Sequence, residues 1–138
     1  MPLYSRSIAT ECGTIYLTGG YIKHENAYLN SCYRYDEIFS TLVRVANMNK
    51  THADHSICCV DGFIYVVGTF VNNVVYGHCE QYDTQKDQWK EIDSMRVPRT
   101  GVSLCIFKNN YIFAFGGRSD QKQIVDTIEC YDISRNVW

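Results

Sequence analysis

The segment YIFAFGG at residues 111–117 decides the fold, because versions of it occur twice more upstream. Residues 15–20 read IYLTGG and residues 63–69 read FIYVVGT, so each copy is an aromatic and β-branched run that stops at a glycine. Such a run predicts a buried strand ending in a turn, where glycine supplies a positive φ or a close backbone approach. The first glycines of the copies are 68 − 19 = 49 and 116 − 68 = 48 residues apart. A period of this size indicates a repeat architecture.

Other positions recur with the same period. Each copy has a Tyr-Asp pair and a bulky apolar residue seven positions after the tyrosine, and two copies have a methionine six positions later. These columns are Tyr35, Tyr82 and Tyr131; Asp36, Asp83 and Asp132; Leu42, Trp89 and Trp138; and Met48 and Met95. The chain therefore divides into approximate repeats 1–48, 49–95 and 96–138 of one domain, 1–138.

Each repeat is predicted to form four short antiparallel strands. The second strand is the glycine-ended run, and a variable loop follows it, at residues 21–30, 70–77 and 118–124. The first strands are predicted at 7–12, 56–60 and 103–107. The third strands are predicted at 31–35, 78–82 and 127–131. The fourth strands are predicted at 41–45, 88–92 and 137–138, where the last one only begins. Such a sheet is apolar on both faces, so it must stack on its neighbour.

The repeated pattern is a double glycine after an apolar run, then Tyr-Asp, then a tryptophan after six intervening residues, then a methionine. This pattern resembles the kelch repeat. The resemblance covers nearly the whole chain. It implies an all-β fold of kelch-type β-propeller blades, each with four antiparallel strands. About two and three-quarter blades are present and the ring is incomplete. Because propellers have about four to eight blades, the remaining blades are expected from a longer chain or from another copy.

Two residues depart from the kelch pattern. Leu42 replaces the tryptophan and gives the first blade less area to bury, since a tryptophan can bury about 150–250 Å². Thr69 replaces the second glycine. A β-branched residue in the left-handed region costs about 1–2 kcal/mol, so we predict a negative φ at Thr69 and a different local turn.

Composition excludes several classes of function. The formal charge is 13 − 15 = −2, without a run of like sign, so neither nucleic acid nor an anionic membrane is an expected partner. The apolar runs are strand-sized, and the N-terminus lacks the pattern of a secretory signal. Seven cysteines without a CxxC pair favour free thiols in a reducing compartment and disfavour a zinc site. We therefore expect a cytoplasmic protein, with cytoskeletal association as one variant.

The recurring columns are interpreted as structural, because every blade needs them. The glycines are expected to shape turns, Trp89 and Trp138 to pack between blades, and the aspartates of the Tyr-Asp pairs to bond turn amides. The variable loops and the connections at 47–55 and 94–100 are predicted to emerge on one face, the loop face, which in kelch proteins commonly captures peptide segments of partners. The candidate partner-binding residues are Tyr21, Lys23, His24, Tyr28, Phe70, Arg96, Arg99, Arg118 and Lys122. The same residues could instead form a solvated rim.

The leading hypothesis is a non-catalytic module that binds a partner protein. Its role could be substrate capture in a cullin-type ubiquitin ligase adaptor or a scaffold on cytoskeletal structures. An enzyme built on the propeller is the alternative class. The sequence has no glycine-rich loop before a helix and no Gly-x-Ser-x-Gly. The four histidines do not reproduce the setting of the kelch-type copper radical enzymes, which are full, secreted propellers. We therefore predict no catalytic residue, metal or cofactor.

Overall fold

The computed structural model describes residues 1–120 and 122–138 and consists of strands joined by turns. No helix long and apolar enough to cross a membrane occurs in this part of the chain. The strands are β1 (Arg6–Ala9), β2 (Ile15–Ile22), β3 (Ala27–Asp36), β4 (Thr41–Arg44), β5 (Ser56–Val60), β6 (Phe63–Val71), β7 (Val74–Asp83), β8 (Gln88–Ile92), β9 (Ser103–Phe107), β10 (Tyr111–Phe115) and β11 (Ile128–Asp132).

These strands form three antiparallel up-and-down sheets. Blade 1 has the order β1-β2-β3-β4, blade 2 the order β5-β6-β7-β8, and blade 3 the order β9-β10-β11. In blade 3, Val137 pairs with Asp132 through one isolated bridge, where the fourth strand was predicted to begin. The predicted all-β fold and the incomplete ring of propeller blades are confirmed.

The second strands do not end at their glycines in blades 1 and 2, which corrects the prediction. Strand β2 continues to Ile22 and β6 to Val71, and their pairing with the third strand shifts register at Gly19 and Gly68. These glycines lie in bulges with φ of 56° and 70°. The turns come later, at residues 23–26 and 72–73, so the predicted loops 21–30 and 70–77 are mostly strand. Only in blade 3 does the strand stop before the glycine pair.

The glycines in the bulges are required by close approach of the backbone. A Cβ at Gly19 would lie 2.1 Å from the carbonyl oxygen of His52, and one at Gly68 would lie 2.3 Å from the carbonyl oxygen of Arg99. Both carbonyls belong to the segment entering the next blade. Thr69 is not among the residues with positive φ, whereas Gly20 and Gly117 have φ of 118° and 103°. The predicted φ at Thr69 is confirmed, but the different local turn is not, because blade 2 has the same bulge as blade 1 at this point.

The core lies between the blades. The face of a blade that meets the following blade is called its trailing face, and the face that meets the preceding blade its leading face. Tyr16 on the trailing face of blade 1 meets Tyr82 on the leading face of blade 2, with ring centroids 5.7 Å apart, and Tyr65 and Tyr131 repeat this pair at 6.2 Å. Residues buried between blades 2 and 3 include Val60, Tyr65, Val67, Cys79, Ile112, Ala114, Tyr131 and Trp138.

Each tryptophan also donates a hydrogen bond to the backbone of the preceding blade. The indole N–H of Trp89 donates to the carbonyl of Ala46, and that of Trp138 donates to the carbonyl of Asp93, both at 2.9 Å. The prediction that the tryptophans pack between blades is confirmed.

Two glutamates repeat a second junction contact. The Glu80 carboxylate accepts the backbone N–H groups of Asn49 and Lys50, each at 2.8 Å. The Glu129 carboxylate accepts those of Arg96 and Val97, at 2.6 and 3.2 Å. Each junction thus combines apolar burial with a carboxylate that binds the chain entering the next blade.

Candidate interaction surface

The loop face carries a left-handed residue two positions before the first strand of every blade. These residues are Tyr4, Asp54 and Gly101, with φ of 58°, 52° and 64°. The bend turns each connection into the strand that packs nearest the neighbouring blade. Because a backbone shape rather than a side chain recurs here, the side chain can differ between blades.

A cleft of about 470 Å³ opens on the loop face, a volume within the range of small-molecule pockets. We call it the interblade cleft. It is lined by Tyr4, Asp54, Phe70, Asn73, Val75, Thr100, Arg118, Ser119, Asp120 and Lys122. These residues come from the segments entering the blades, the β6–β7 hairpin and the β10–β11 connection, so all three blades contribute.

Asp54 is the electrostatic centre of the cleft. Its Oδ1 lies 3.0 Å from a guanidinium nitrogen of Arg6, and its Oδ2 lies 3.2 Å from one of Arg118. The Asp54 side chain is 15% exposed and that of Arg118 is 60% exposed. One carboxylate therefore holds two guanidinium groups, and Arg118 keeps much of its surface available to a ligand.

The walls of the cleft are held by hydrogen bonds between blades. The backbone N–H of Val75 donates to the carboxylate of Asp120, which ties the β10–β11 connection to the β6–β7 hairpin. Thr100 donates its hydroxyl to the carbonyl of Asp54, and its backbone pairs with that of Arg118 in both directions. A site fixed in this way loses little conformational freedom on binding.

Three of the predicted partner-binding residues, Phe70, Arg118 and Lys122, meet in the interblade cleft. Phe70 is half-buried and Lys122 is exposed. An aromatic ring and two cationic groups thus line the same cleft.

The predicted residues of blade 1 lie elsewhere. Tyr21, Lys23 and His24 line a second, shallower depression of about 310 Å³ together with residues 1–3. Tyr28 packs on Tyr21 with ring centroids 4.8 Å apart. The nine candidates therefore do not form one continuous site.

Arg99, a predicted partner-binding residue, is not part of this surface, because its side chain is fully buried. Its guanidinium donates to the carbonyls of Gly116 and Thr127 at 3.1 and 2.7 Å and lies 2.8 Å from the carboxylate of Glu129. Arg96 is exposed, but its guanidinium donates to the carbonyl of Trp138 and lines neither cleft. The guanidinium groups of both arginines in the connection before β9 are therefore engaged in hydrogen bonds within the protein.

His52 occupies in blade 2 the position that Arg99 has in blade 3. Its Nδ1 lies 3.1 Å from the carbonyl of Gly68, and its Nε2 lies 3.2 Å from Oε1 of Glu80. Burial raises the pKa of Glu80, but the hydrogen bonds from His52, Asn49 and Lys50 outweigh it and lower that pKa overall. The imidazole and the guanidinium perform the same structural task.

His55 is also fully buried, with its Nε2 2.8 Å from the Thr18 hydroxyl. Burial holds the pKa of His55 well below its usual value. Within residues 1–120 and 122–138, no group of three or more His, Cys, Asp or Glu side chains could hold a metal ion.

Sequence reasoning did not identify Tyr4, Asp54 or Asn73 as members of the cleft. The available signal was the difference between blades at one column, where Tyr4, Asp54 and Gly101 align two residues before the first strand. Asp54 is the one charged residue in that column. A position where the backbone bend recurs in every blade but the side chain differs is free to contribute a side chain to a surface.

Comparisons with known proteins agree with this architecture. The sequence model of the KLHDC2/KLHL20/DRC7 Kelch-repeats domain matches residues 1–138. Mouse Kelch-like protein 35 is 24% identical over 100% of the chain, and human Kelch-like protein 23 is 27% identical over 98%. Kelch repeat protein C2 of vaccinia virus, strain Western Reserve, is 26% identical over 98%. The matches cover 24%, 23% and 26% of these relatives, so the chain spans about a quarter of their length.

Proposed function

This chain belongs to the kelch-repeat family, and we propose that it is a non-catalytic module that binds a partner protein through its loop face, with the interblade cleft as the contact site. The observation that carries the proposal is that Phe70, Arg118 and Lys122 line one cleft together with Asp54, which pairs with Arg118. The aromatic ring supplies apolar contact area, and the cationic groups supply directional bonds. Aromatic residues and arginine are the residue types that dominate protein interfaces.

The cleft suits an extended peptide segment with both apolar and hydrogen-bonding groups. Asp54 already neutralises part of the charge of Arg6 and Arg118, so the free capacity lies in the exposed part of Arg118, in Lys122 and in the polar groups of Asn73 and Ser119. Binding to a pre-formed cleft of this kind avoids the cost of ordering loops.

The test uses a phage library of random peptides selected on the immobilised 138-residue chain. The affinity of a selected peptide is then measured by fluorescence anisotropy. The double variant Arg118→Ala, Lys122→Ala is expected to weaken binding roughly tenfold or more, as loss of interface anchors does. The matched control is Lys86→Ala, Arg135→Ala, which removes two exposed cationic side chains from turns at the opposite end of the blades.

If the selected peptides bind the Arg118→Ala, Lys122→Ala variant as tightly as they bind the wild-type chain and the control variant, the cleft is not the contact site. Stability is not expected to confuse the result, because exposed ion pairs contribute only about 0–1 kcal/mol. Circular dichroism of each variant checks that the fold is retained.

The biological setting is a finer proposal. Substrate capture for a cullin-type ubiquitin ligase and scaffolding on cytoskeletal structures both need the same rigid loop face, and both suit a cytoplasmic location. Co-purification of a cullin with the protein expressed in cells supports the first role. Co-sedimentation with actin filaments or microtubules supports the second.

A further inference from the structure

The ring of His52 is fully buried, and each of its two nitrogens faces an oxygen that accepts hydrogen bonds. Nδ1 lies 3.1 Å from the carbonyl oxygen of Gly68, and Nε2 lies 3.2 Å from Oε1 of Glu80. A neutral imidazole has one N–H group and one lone pair, so it can donate to only one of these oxygens. An imidazolium has two N–H groups and can donate to both. The geometry around the ring therefore favours the charged form.

Glu80 is held as a carboxylate, so it has no proton to give to the imidazole. Its Oε2 accepts the backbone and side-chain N–H groups of Asn49, and its Oε1 accepts the backbone N–H of Lys50, each at 2.8 Å. Burial raises the pKa of Glu80, but these bonds and the one with His52 outweigh it and lower that pKa overall. The side chains of Glu80 and His52 are both fully buried. A buried carboxylate needs a partner of opposite charge, and the protonated ring supplies one.

Blade 3 holds a permanent cation at the same column, since Arg99 keeps its charge at any pH that a folded protein tolerates. Its guanidinium lies 2.8 Å from the carboxylate of Glu129 and donates to the carbonyl of Gly116 at 3.1 Å. These two groups are the counterparts of the carboxylate and the glycine carbonyl that the imidazole of His52 contacts. The site in blade 3 therefore binds a positive charge at every pH, whereas the matching site in blade 2 holds a group that can lose its charge.

His52 connects blade 1 to blade 2, because its backbone bonds one blade and its ring bonds the other. Its N–H donates to the carbonyl of Leu29 at 3.0 Å, and its carbonyl accepts the N–H of Gly20 at 2.8 Å, both in blade 1. We propose that His52 is an imidazolium in the folded chain and makes the junction of blades 1 and 2 sensitive to pH. Loss of a ring proton would place a nitrogen lone pair against the oxygen of Gly68 or Glu80, in a buried site where an unpaired acceptor is costly.

The neighbouring histidines do not oppose this charge. The ring of His55 lies 5.8 Å from that of His52, and burial holds the pKa of His55 well below its usual value. Burial, followed by the positive charges of Lys50 and His52, also lowers the pKa of His78 on β7. Both neighbours are therefore neutral at neutral pH. The strands β2, β3 and β6 contact His52 through backbone groups. The charged groups around this cluster are Glu80 of β7, Arg6 of β1, and Lys50 with its partner Glu91 of β8.

The direct test is NMR of the 138-residue chain labelled with ¹⁵N at histidine, at neutral pH. The two ring nitrogens of His52 are expected to have similar chemical shifts and one attached proton each, as in an imidazolium. Those of His55 are expected to be widely separated, as in a neutral ring, and provide the internal reference. Loss of the signals in His52→Gln assigns them. Widely separated nitrogen shifts for His52 would overturn the proposal.

Urea unfolding measures the consequence for the junction. Histidine in an unfolded chain loses its proton at about pH 6.5, so above that pH the folded chain binds one more proton than the unfolded chain, and its stability falls as the pH rises. Between about pH 7 and 8, the unfolding equilibrium constant of the wild-type chain is expected to rise by up to about tenfold relative to that of His52→Arg, which copies Arg99 and cannot titrate. If arginine does not fit, His52→Gln gives the same comparison. His24→Gln is the matched control, because the His24 side chain is 82% exposed, and it should keep the wild-type pH profile. Parallel profiles for the wild-type chain and the His52 variants would overturn the proposal.

Discussion

Replacing Gly68 with alanine tests the inference that the glycine bulges exist to admit a neighbouring backbone. Two costs add at this position. With φ of 70°, an alanine would be held in the left-handed region, at about 1–2 kcal/mol. Its Cβ would also lie 2.3 Å from the carbonyl oxygen of Arg99, so that oxygen must move by about 1 Å to reach ordinary contact distance.

That movement matters because Arg99 is buried and fully bonded. Its guanidinium donates to carbonyl or side-chain oxygens of Val97, Gly116, Thr127 and Glu129. A hydrogen bond to a charged group contributes about 1.5–3 kcal/mol, so loss of even one, added to the backbone cost, brings the total cost of Gly68→Ala to about 2.5–5 kcal/mol.

Gly101→Ala is the matched control. Gly101 has φ of 64°, and a Cβ there would meet nothing within 4 Å, so this variant pays the backbone cost of about 1–2 kcal/mol without the clash. Urea unfolding followed by the fluorescence of Trp89 and Trp138 reports both junctions. A difference of about 2 kcal/mol between the variants corresponds to roughly 1 M in the urea midpoint. Equal midpoints for the two variants would contradict the close-approach argument.

Two further predictions concern buried histidine and exposed cysteine. Because burial lowers the folded-state pKa of His55 far below 6.5, the unfolded chain binds a proton that the folded chain does not, and stability falls below pH 6.5 by up to about 1.4 kcal/mol per pH unit. His55→Val, which copies Val102 of blade 3, should remove that slope from urea midpoints measured between neutral and mildly acidic pH, and an unchanged slope would assign it to other groups. Hydrogen bonds with the Thr10 and Thr14 hydroxyls lower the pKa of the exposed Cys12 to about 7, whereas burial raises the pKa of Cys58 and Cys79 to about 12. Iodoacetamide at neutral pH should therefore alkylate Cys12 well before Cys58 or Cys79, as peptide mass spectrometry of the native protein can measure, and equal rates would count against this order.

The sequence predicted the repeated parts of the fold well, because each blade must satisfy the same local and junction contacts. Trp89 and Trp138 pack between blades, and Asp36, Asp83 and Asp132 accept turn N–H groups, as expected. The error at Gly19 and Gly68 has a clear cause. Their partners are carbonyls 33 and 31 residues further along the chain, at His52 and Arg99, and a local pattern cannot distinguish such a close approach from a turn.

The candidate site was harder to predict than the fold. Residue type placed Arg99 on the surface, since arginine is rarely buried without a partner. The structure supplies that partner in Glu129, a residue of the recurring strand pattern. Conversely, Asp54 and Tyr4 precede strands and match no repeated residue, so nothing in the sequence connects them to Phe70 and Arg118.

The column that contains Tyr4, Asp54 and Gly101 explains why the cleft lies where it does. Every blade needs a left-handed backbone there, and glycine adopts it at the lowest cost. Aspartate tolerates this conformation better than most residues, whereas a bulky side chain such as tyrosine is an outlier. Blades 1 and 2 therefore keep strained residues where glycine would be more stable. Strain of this kind persists when the side chain has another task. Both side chains line the interblade cleft, and Asp54 also bridges Arg6 and Arg118, so each position contributes a side chain that glycine lacks.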